Sequence, residues 1–188
     1  SFSTGEFVAI TGESGSGKST LAHILGGIIP YEAGELYIYG KATSHYDASD
    51  WADYRRDLVS FISQNYGILA GNTVRENVES ALILSGANKR EARKRAEEIL
   101  EAVELSEFKM RKAGKLSSGQ KQRLSIARAL AKPSKILIAD EPTGNLDREN
   151  SEKVIALLKK AAEDRLVILI THEFDEAKDV ATRRLILS

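Results

Sequence analysis

One stretch near the start of the chain restricts the possible folds more than any other. Residues 12–20 fit the pattern G-x-x-x-x-G-K-[ST]. The apolar run Phe7–Ile10 precedes this stretch and indicates a buried strand, and Leu21–Leu25 follows it with the pattern of an amphipathic helix. A strand, a glycine-rich turn and a helix in this order predict a loop that binds phosphate groups. The loop consists of Gly12, Glu13, Ser14, Gly15, Ser16, Gly17, Lys18, Ser19 and Thr20.

The residue types of this loop explain how it would bind an anion. Small residues let backbone N–H groups turn inward, and the N-terminus of the next helix adds partial positive charge. Lys18 is placed to reach the β- and γ-phosphates of a nucleotide, and the Ser19 hydroxyl to bind Mg²⁺. The alternative is a plain glycine- and serine-rich turn. At ordinary glycine content, a chain of this length would match the loop pattern by chance with odds of about 1% or less. Nucleotide binding is therefore favoured over a plain turn.

Composition narrows the class of protein. The chain has 188 residues, of which 42% are hydrophobic, enough for one substantial core and a small subdomain. Its formal net charge is zero, so nothing favours a nucleic-acid surface. It has no cysteine, which fits a reducing cytosol. We find no signal peptide and no apolar run near the roughly 18 residues of a membrane span, so we expect any membrane role to come through a partner.

Apolar runs alternate with helical patterns over most of the chain. Buried strands are predicted at Leu58–Ile62, Ile136–Ala139 and Leu166–Ile170, and a last strand at Arg184–Leu187. This alternation predicts an α/β fold with a mainly parallel sheet that helices cover on both faces. The alternating run Glu35–Gly40 predicts a half-exposed antiparallel strand. The polar stretch that follows, residues 41–53, is predicted to be a surface loop with the ring of Trp51 packed down.

Strand patterns disappear from about residue 67. A capping box, Thr73–Glu76, predicts a helix through about Leu84. A second helix is predicted over residues 88–103, where glutamates balance the basic residues and favour a solvated face over nucleic-acid contact. We therefore expect a single domain, with a core of about residues 1–66 and 116–188 and an inserted helical subdomain of about residues 67–115.

Four candidate residues each follow the end of a different predicted strand: Gly12, Gln64, Asp140 and His172. Ligands of parallel sheets bind at the carboxyl ends of the strands, so this shared placement predicts one site. There, Asp140 and the amide oxygen of Gln64 are candidate Mg²⁺ ligands, and Glu141 is placed to orient or deprotonate water. His172 is placed to hydrogen-bond a γ-phosphate oxygen. Taken singly, most of them would be ordinary turn or loop residues.

A second turn of small residues precedes a later helix, and it consists of Ser117, Ser118, Gly119 and Gln120. It is either a simple helix cap or a second anion site. Since the chain already has one complete phosphate cradle, we expect this turn to close over a nucleotide held by another copy.

The order and approximate spacing of these motifs resemble those of the nucleotide-binding domain of ABC transporters, over nearly the whole chain. Six motifs carry the resemblance: Walker A (residues 12–20), the Q-loop (Gln64), the signature (Leu116–Gln120), Walker B (Ile136–Glu141), the D-loop (Asn145–Asp147) and the H-loop (His172). The resemblance implies a P-loop NTPase core that binds ATP and Mg²⁺ and hydrolyses ATP, with Lys18, Glu141 and His172 as catalytic residues. The implied magnesium ligands are Ser19, Gln64 and Asp140, and Asp147 belongs to the nucleotide-contacting set.

The same resemblance implies partners and a location. Two copies would form a head-to-tail dimer with two ATP molecules between Walker A of one chain and the signature of the other. Hydrolysis would drive a membrane permease from the cytoplasmic face, with the helical subdomain docking to it. Residues 139–147 resemble the exporter branch that includes lipoprotein-release, macrolide-efflux and antimicrobial-peptide-resistance transporters.

The chain departs from the family pattern at two points. Ser118 stands where the signature usually has glycine, which is tolerable if its backbone is not at positive φ. The adenine-stacking aromatic residue is expected upstream of Ser1, so the domain is interpreted as N-terminally truncated.

Three other functions compete with a transporter motor. A soluble ABC-type ATPase of chromosome structure or DNA repair would carry a long coiled coil between its halves, whereas a short helical insert separates Gln64 from Ser117 here. A nucleotide kinase would need an arginine-rich lid and no signature or H-loop. A non-hydrolysing regulatory module is disfavoured because the full set of catalytic candidates is present.

Overall fold

A parallel sheet forms the centre of the computed structural model, which describes residues 1–63, 65–172 and 174–188. In order along the sheet the strands are β4, β5, β6, β1 and β7, and every neighbouring pair is parallel. The predicted parallel sheet is thus confirmed. Two short strands, β2 and β3, pair in an antiparallel way outside it. The strands are β1 (Phe7–Gly12), β2 (Tyr37–Ile38), β3 (Lys41–Ala42), β4 (Val59–Ile62), β5 (Ile136–Asp140), β6 (Leu166–Ile170) and β7 (Arg183–Leu187).

Helices cover both faces of this sheet, which explains why β1 and β6 are nearly continuous apolar runs. On one face, Val8 and Ile10 of β1 share an apolar cluster with Ala22 of α1 and Tyr54 of α2. On the other face, Ala9 lies in a cluster with residues of α5 and α6. The helices are α1 (Lys18–Leu25), α2 (Ala48–Asp57), α3 (Val74–Leu84), α4 (Lys89–Ala102), α5 (Ser118–Ala131) and α6 (Arg148–Ala161).

The helices α3 and α4 lie between β4 and β5 in the chain and start where the sequence predicts. The Thr73 side chain accepts a hydrogen bond from the backbone of Glu76, and the Glu76 side chain accepts one from the backbone of Thr73. Asn88 caps α4 in a similar way. Both helices share a third apolar cluster with α5, through residues such as Leu82 and Leu100. No helix in the described ranges is both long and apolar enough to cross a lipid bilayer.

The prediction of a surface loop over residues 41–53 is wrong. Residues 41–42 form β3, and α2 begins at Ala48 behind a capping box in which Asp47 accepts hydrogen bonds from the backbone of Ser49 and Asp50. Trp51 lies in this helix, with its ring edge-on to that of Tyr54. Near the C-terminus, residues 174–176 form a single 3₁₀ turn.

Candidate functional site

The loop between β1 and α1 surrounds a buried lysine. Lys18 is only 6% exposed, and its Nζ donates hydrogen bonds to the backbone oxygens of Gly12 at 2.9 Å and Glu13 at 2.6 Å. A Cβ atom at Gly12 would clash with the carbonyl oxygen of Leu187 on β7, so the close approach of these strands requires glycine there. Ser16 Oγ is buried and has no hydrogen-bond partner among the described residues. A buried cation and a buried hydroxyl without a partner, at a helix N-terminus, favour an anionic ligand.

Two side-chain oxygen atoms from residues far apart in the sequence lie close together next to this loop. Ser19 Oγ, on the first turn of α1, donates a hydrogen bond to Oδ1 of Asp140 at 3.1 Å. Asp140 ends β5 and is 7% exposed. Burial raises the pKa of its carboxyl group above the ordinary value, and the hydrogen bond from Ser19 partly offsets this effect. The hydroxyl of the exposed residue Ser19 and the buried carboxylate of Asp140 are the kind of ligands that bind Mg²⁺ together with a phosphate.

A carboxylate and an imidazole face each other at the same edge of the sheet. Glu141 Oε1 lies 3.3 Å from Nδ1 of His172, which follows the end of β6. The backbone of Glu141 has a φ of 47°, in the left-handed region that costs a non-glycine residue roughly 1–2 kcal/mol. Its N–H donates to the carbonyl oxygen of Ile170 at 2.9 Å, which ties the turn after β5 to β6. The tertiary structure thus imposes the backbone conformation that presents this carboxylate.

An open cleft of about 1040 Å³ lies at this edge of the sheet. Its walls include Gly12–Ser16, Glu141 and His172, together with the end of β7. The structure therefore brings Gly12, Asp140 and His172 to the same edge of the sheet. The fourth residue predicted to lie there, Gln64, is outside the described residues. This edge of the sheet thus combines a loop suited to phosphate, a hydroxyl–carboxylate pair and a carboxylate–imidazole pair, which are the kinds of group that phosphoryl transfer to water requires.

Comparison with known proteins identifies the family. The ABC transporter family matches residues 1–144 of this sequence. The chain belongs to the ABC transporter family.

The relatives of this ABC chain agree with that assignment. It is 46% identical over 182 residues to the macrolide export ATP-binding/permease protein MacB of Marinobacter nauticus, covering 96% of this chain and 28% of that protein. It is 44% identical over 180 residues to the uncharacterized ABC transporter ATP-binding protein MJ0796 of Methanocaldococcus jannaschii, covering 93% of this chain and 77% of that protein. The chain thus spans little more than a quarter of the first of these relatives.

Solved structures extend the likeness to the whole fold of the ABC chain. A dimeric post-hydrolysis structure of the ATP-binding cassette MJ0796, bound to ADP and Pi, has a TM-score of 0.90 at 39% sequence identity. The match covers 100% of this chain and 83% of that one. The chain is therefore an ATP-binding cassette with the P-loop NTPase fold.

The signature turn of the cassette caps a helix. Ser117 is the N-cap of α5: its Oγ accepts a hydrogen bond from the N–H of Gln120 at 3.3 Å, and its own N–H donates to Gln120 Oε1 at 3.0 Å. Ser118, which replaces the usual glycine, is the first residue of α5 and is not at positive φ, so the condition for tolerating it is met. Asp147 likewise caps α6. None of the described residues 117–120 and 147 lines the cleft of its own chain.

Arg184 is a residue of the cleft that sequence reasoning missed. Its Nε donates to Thr11 Oγ1 at 3.0 Å, and its guanidinium lies 4.0 Å from the centre of the Phe174 ring. It lines the same cleft as His172. The sequence shows only a basic residue in the last predicted strand. Its position becomes evident once β7 is known to lie beside β1.

The buried carboxylate of the cassette leads to a test that separates stability from ligand binding. Asp140→Asn removes a desolvated charge but keeps an oxygen that accepts the hydrogen bond from Ser19. Folding raises the pKa of the Asp140 carboxyl group. The free energy of unfolding therefore falls as the pH rises from the unfolded-state pKa of this group to its folded-state pKa. At neutral pH without ligand we therefore expect the variant to be more stable by about 1 kcal/mol, measured by thermal unfolding in EDTA.

The same variant should lose most of the rise in Tm that Mg·ATP gives the wild type, because the substitution removes the negative charge that attracts Mg²⁺ to this position. Asp164→Asn, at an exposed carboxylate, is the matched control and should keep that rise. An Asp140→Asn variant that retained the full Mg·ATP stabilisation would exclude Asp140 from the metal site.

Proposed function

We propose that this cassette is the motor of an ABC exporter: two copies bind Mg·ATP head to tail, hydrolyse it and drive a membrane permease. One observation carries the proposal. The cleft is lined by the loop that surrounds Lys18 and by Glu141 and His172, whereas none of residues 117–120 lines it. A second copy, turned by a two-fold rotation, would bring its turn over the cleft of the first. The dimeric MJ0796 structures support this arrangement.

Each residue has a defined part in the proposed reaction. The loop N–H groups and Lys18 bind and orient the phosphates. Ser19 and Asp140, with Gln64, hold Mg²⁺, which neutralises phosphate charge when bound. Glu141 accepts a proton from the attacking water, and His172 donates a hydrogen bond to the transferred phosphoryl group. The remaining members of the proposed set are the signature residues Ser117, Ser118, Gly119 and Gln120 and the D-loop residue Asp147.

A groove between the sheet and the helical subdomain (residues 67–115) supports a membrane partner. It encloses about 420 Å³ and is lined by Phe61, Ala81, Leu84, Arg128 and Lys132, among others. Leu84 is 84% exposed, which is unusual for a leucine at a groove. Burial lowers the pKa of Arg128, and no described atom accepts a hydrogen bond from its Nε. A partner segment with apolar side chains would cover Leu84, and a carboxylate on that segment would accept a hydrogen bond from Arg128. We propose that the permease supplies this segment.

The names of two relatives support a proposal for the direction of transport and the location. MacB of Marinobacter nauticus is named a macrolide export ATP-binding/permease protein, and a relative from Pseudomonas fluorescens is named a pyoverdine export ATP-binding/permease protein. Both names combine the cassette with a permease. We therefore propose export as the direction, with the cassette held at the cytoplasmic face of the membrane by its permease and without a nucleic-acid partner.

Hydrolysis by a composite site should depend on protein concentration. We expect the specific ATPase activity of the isolated chain to rise with its concentration, because the site is complete only in the dimer. Activity should also vanish in EDTA. The measurement is phosphate release per chain over a dilution series, with sizing chromatography at each concentration. A specific activity that stays constant where the chain is monomeric would reject the head-to-tail site.

A further inference from the structure

One asparagine joins the two turns that lie outside the cleft. Asn150 is the third residue of α6. Its Oδ1 accepts a hydrogen bond from Nη1 of Arg123 at 2.6 Å, and its Nδ2 donates to both carboxylate oxygens of Asp147 at 3.0 and 2.9 Å. An arginine side chain only donates hydrogen bonds and a carboxylate only accepts them, so this orientation of the amide satisfies both neighbours. The asparagine is therefore a neutral bridge between a cation on α5 and the anion that caps α6.

The same amide packs against the signature turn. A Cβ atom on Gly119 would lie 3.2 Å from both Cγ and Oδ1 of Asn150, so glycine leaves the space that the amide fills. Gly119 and Arg123 are four residues apart on α5, and both contact Asn150 from one face of the helix. Arg123 is 9% exposed, and its Nε has no described partner. The hydrogen bond to Asn150 thus offsets part of the desolvation cost of burying the Arg123 guanidinium.

We propose that Asn150 is a positioning residue that holds the Asp147 turn and the signature turn in one arrangement, so that both reach the second copy together. The inference rests on the proposed function, since it concerns the surface that one cassette presents to the nucleotide of the other. The helices α5 and α6 already pack together in one apolar cluster, and Asn150 adds a polar link between their N-terminal turns, with one hydrogen bond from Arg123 and two to Asp147. A link of three hydrogen bonds between them reduces the conformational freedom that dimer formation would have to remove.

The choice of substitution separates this role from folding. Asn150→Ala would leave Arg123 buried without its acceptor, which destabilises the fold as well. Asn150→Asp keeps an oxygen for Arg123 but places a carboxylate against that of Asp147, where the amide now donates. The repulsion should displace the Asp147 turn while α5 stays in place. Glu152→Ala, at an exposed position on the same helix, is the matched control.

The experiment measures ATP-dependent dimerisation in a Glu141→Gln background, where hydrolysis does not consume the ligand. We expect Asn150→Asp to raise the dimer dissociation constant at least about 10-fold by analytical ultracentrifugation with Mg·ATP. Binding of ATP to the dilute monomer and the thermal midpoint should match those of the Glu152→Ala control. This pattern distinguishes positioning from a general loss of structure, which would weaken dimerisation, weaken ATP binding and lower the thermal midpoint together.

The outcomes separate this inference from the proposed function. If the Glu141→Gln parent dimerises with ATP and Asn150→Asp dimerises equally well, the positioning role is overturned while the head-to-tail site stands. A loss of monomer ATP affinity equal to the loss of dimerisation would also overturn it, because the asparagine would then act within one chain. A parent that stays monomeric with ATP would overturn the proposed function and this inference together.

Discussion

Glu141→Gln should abolish nearly all turnover and leave ATP binding intact. The substitution keeps the size of the side chain and an oxygen within reach of Nδ1 of His172, which now lies 3.3 Å from Oε1. It removes the group that accepts a proton from water, and losses of about 10²–10⁴-fold are usual for such a group. The cradle around Lys18 is untouched, so we expect nucleotide affinity near that of the wild type.

The same variant should accumulate as a dimer with ATP. If ATP cleavage separates the two copies, a variant that cannot cleave ATP should stay in the ATP-bound dimer. Sizing chromatography with Mg·ATP should then show a dimer peak. Glu163→Gln, at an exposed glutamate, is the control and should behave like the wild type in both assays. Glu141→Asp tests whether the position of the carboxylate matters, because it keeps the charge but shortens the side chain by one methylene. Hydrolysis near the wild-type rate in Glu141→Gln would remove this residue from the proposed role.

The sequence predicts the sheet and its functional edge because both depend on local patterns. Leu166–Ile170 is fully buried as an apolar run, and the run before Asp140 behaves in the same way. The carboxyl ends of parallel strands lie along one edge of the sheet, so residues just past those ends share that edge. This is why Ser19 and Asp140 are found 3.1 Å apart although the sequence separates them by 121 positions.

The features that the sequence did not predict depend on weak signals or on tertiary neighbours. The helix α2 buries only Tyr54, so its apolar pattern is faint, and its clearest mark is the Asp47–Asp50 capping box. The contact of Arg184 with Thr11 depends on β7 lying beside β1. The bridge formed by Asn150 depends on how α5 packs on α6. Neither contact follows from the spacing of residues along the chain.

Blocking the signature turn should stop hydrolysis without preventing ATP from binding to the monomer. Ser117→Trp places a large ring at the N-terminus of α5, where we propose that the nucleotide of the second copy sits, and we expect activity to fall by about 10²-fold or more. The change also removes the cap that Ser117 Oγ provides to the N–H of Gln120. Ser117→Ala loses the same cap, typically worth about 1 kcal/mol, without adding bulk. Its activity should therefore stay much closer to that of the wild type.

A mixing experiment decides whether the turn acts across the dimer. Lys18→Ala disables the cradle of its own chain but keeps its signature turn, whereas Ser117→Trp keeps its cradle and blocks its turn. Each variant alone should be inactive. In a mixed dimer, one of the two sites combines the intact cradle of one chain with the intact turn of the other. Mixing equal amounts should therefore restore up to about a quarter of the wild-type activity, since about half of the dimers are mixed and each has one working site.

The same mixing experiment has an outcome that would reject a site shared between two chains. If the turn served the cleft of its own chain, every chain in the mixture would carry one disabled part, and no activity would return. Phosphate release from the mixture, measured against each variant at the same total concentration, distinguishes the two cases. Recovery should depend on concentration as dimerisation does, because it requires two different chains to meet. The arrangement in which Lys18 lies in one chain and Ser117 in the other is thus testable without a permease or a transported molecule.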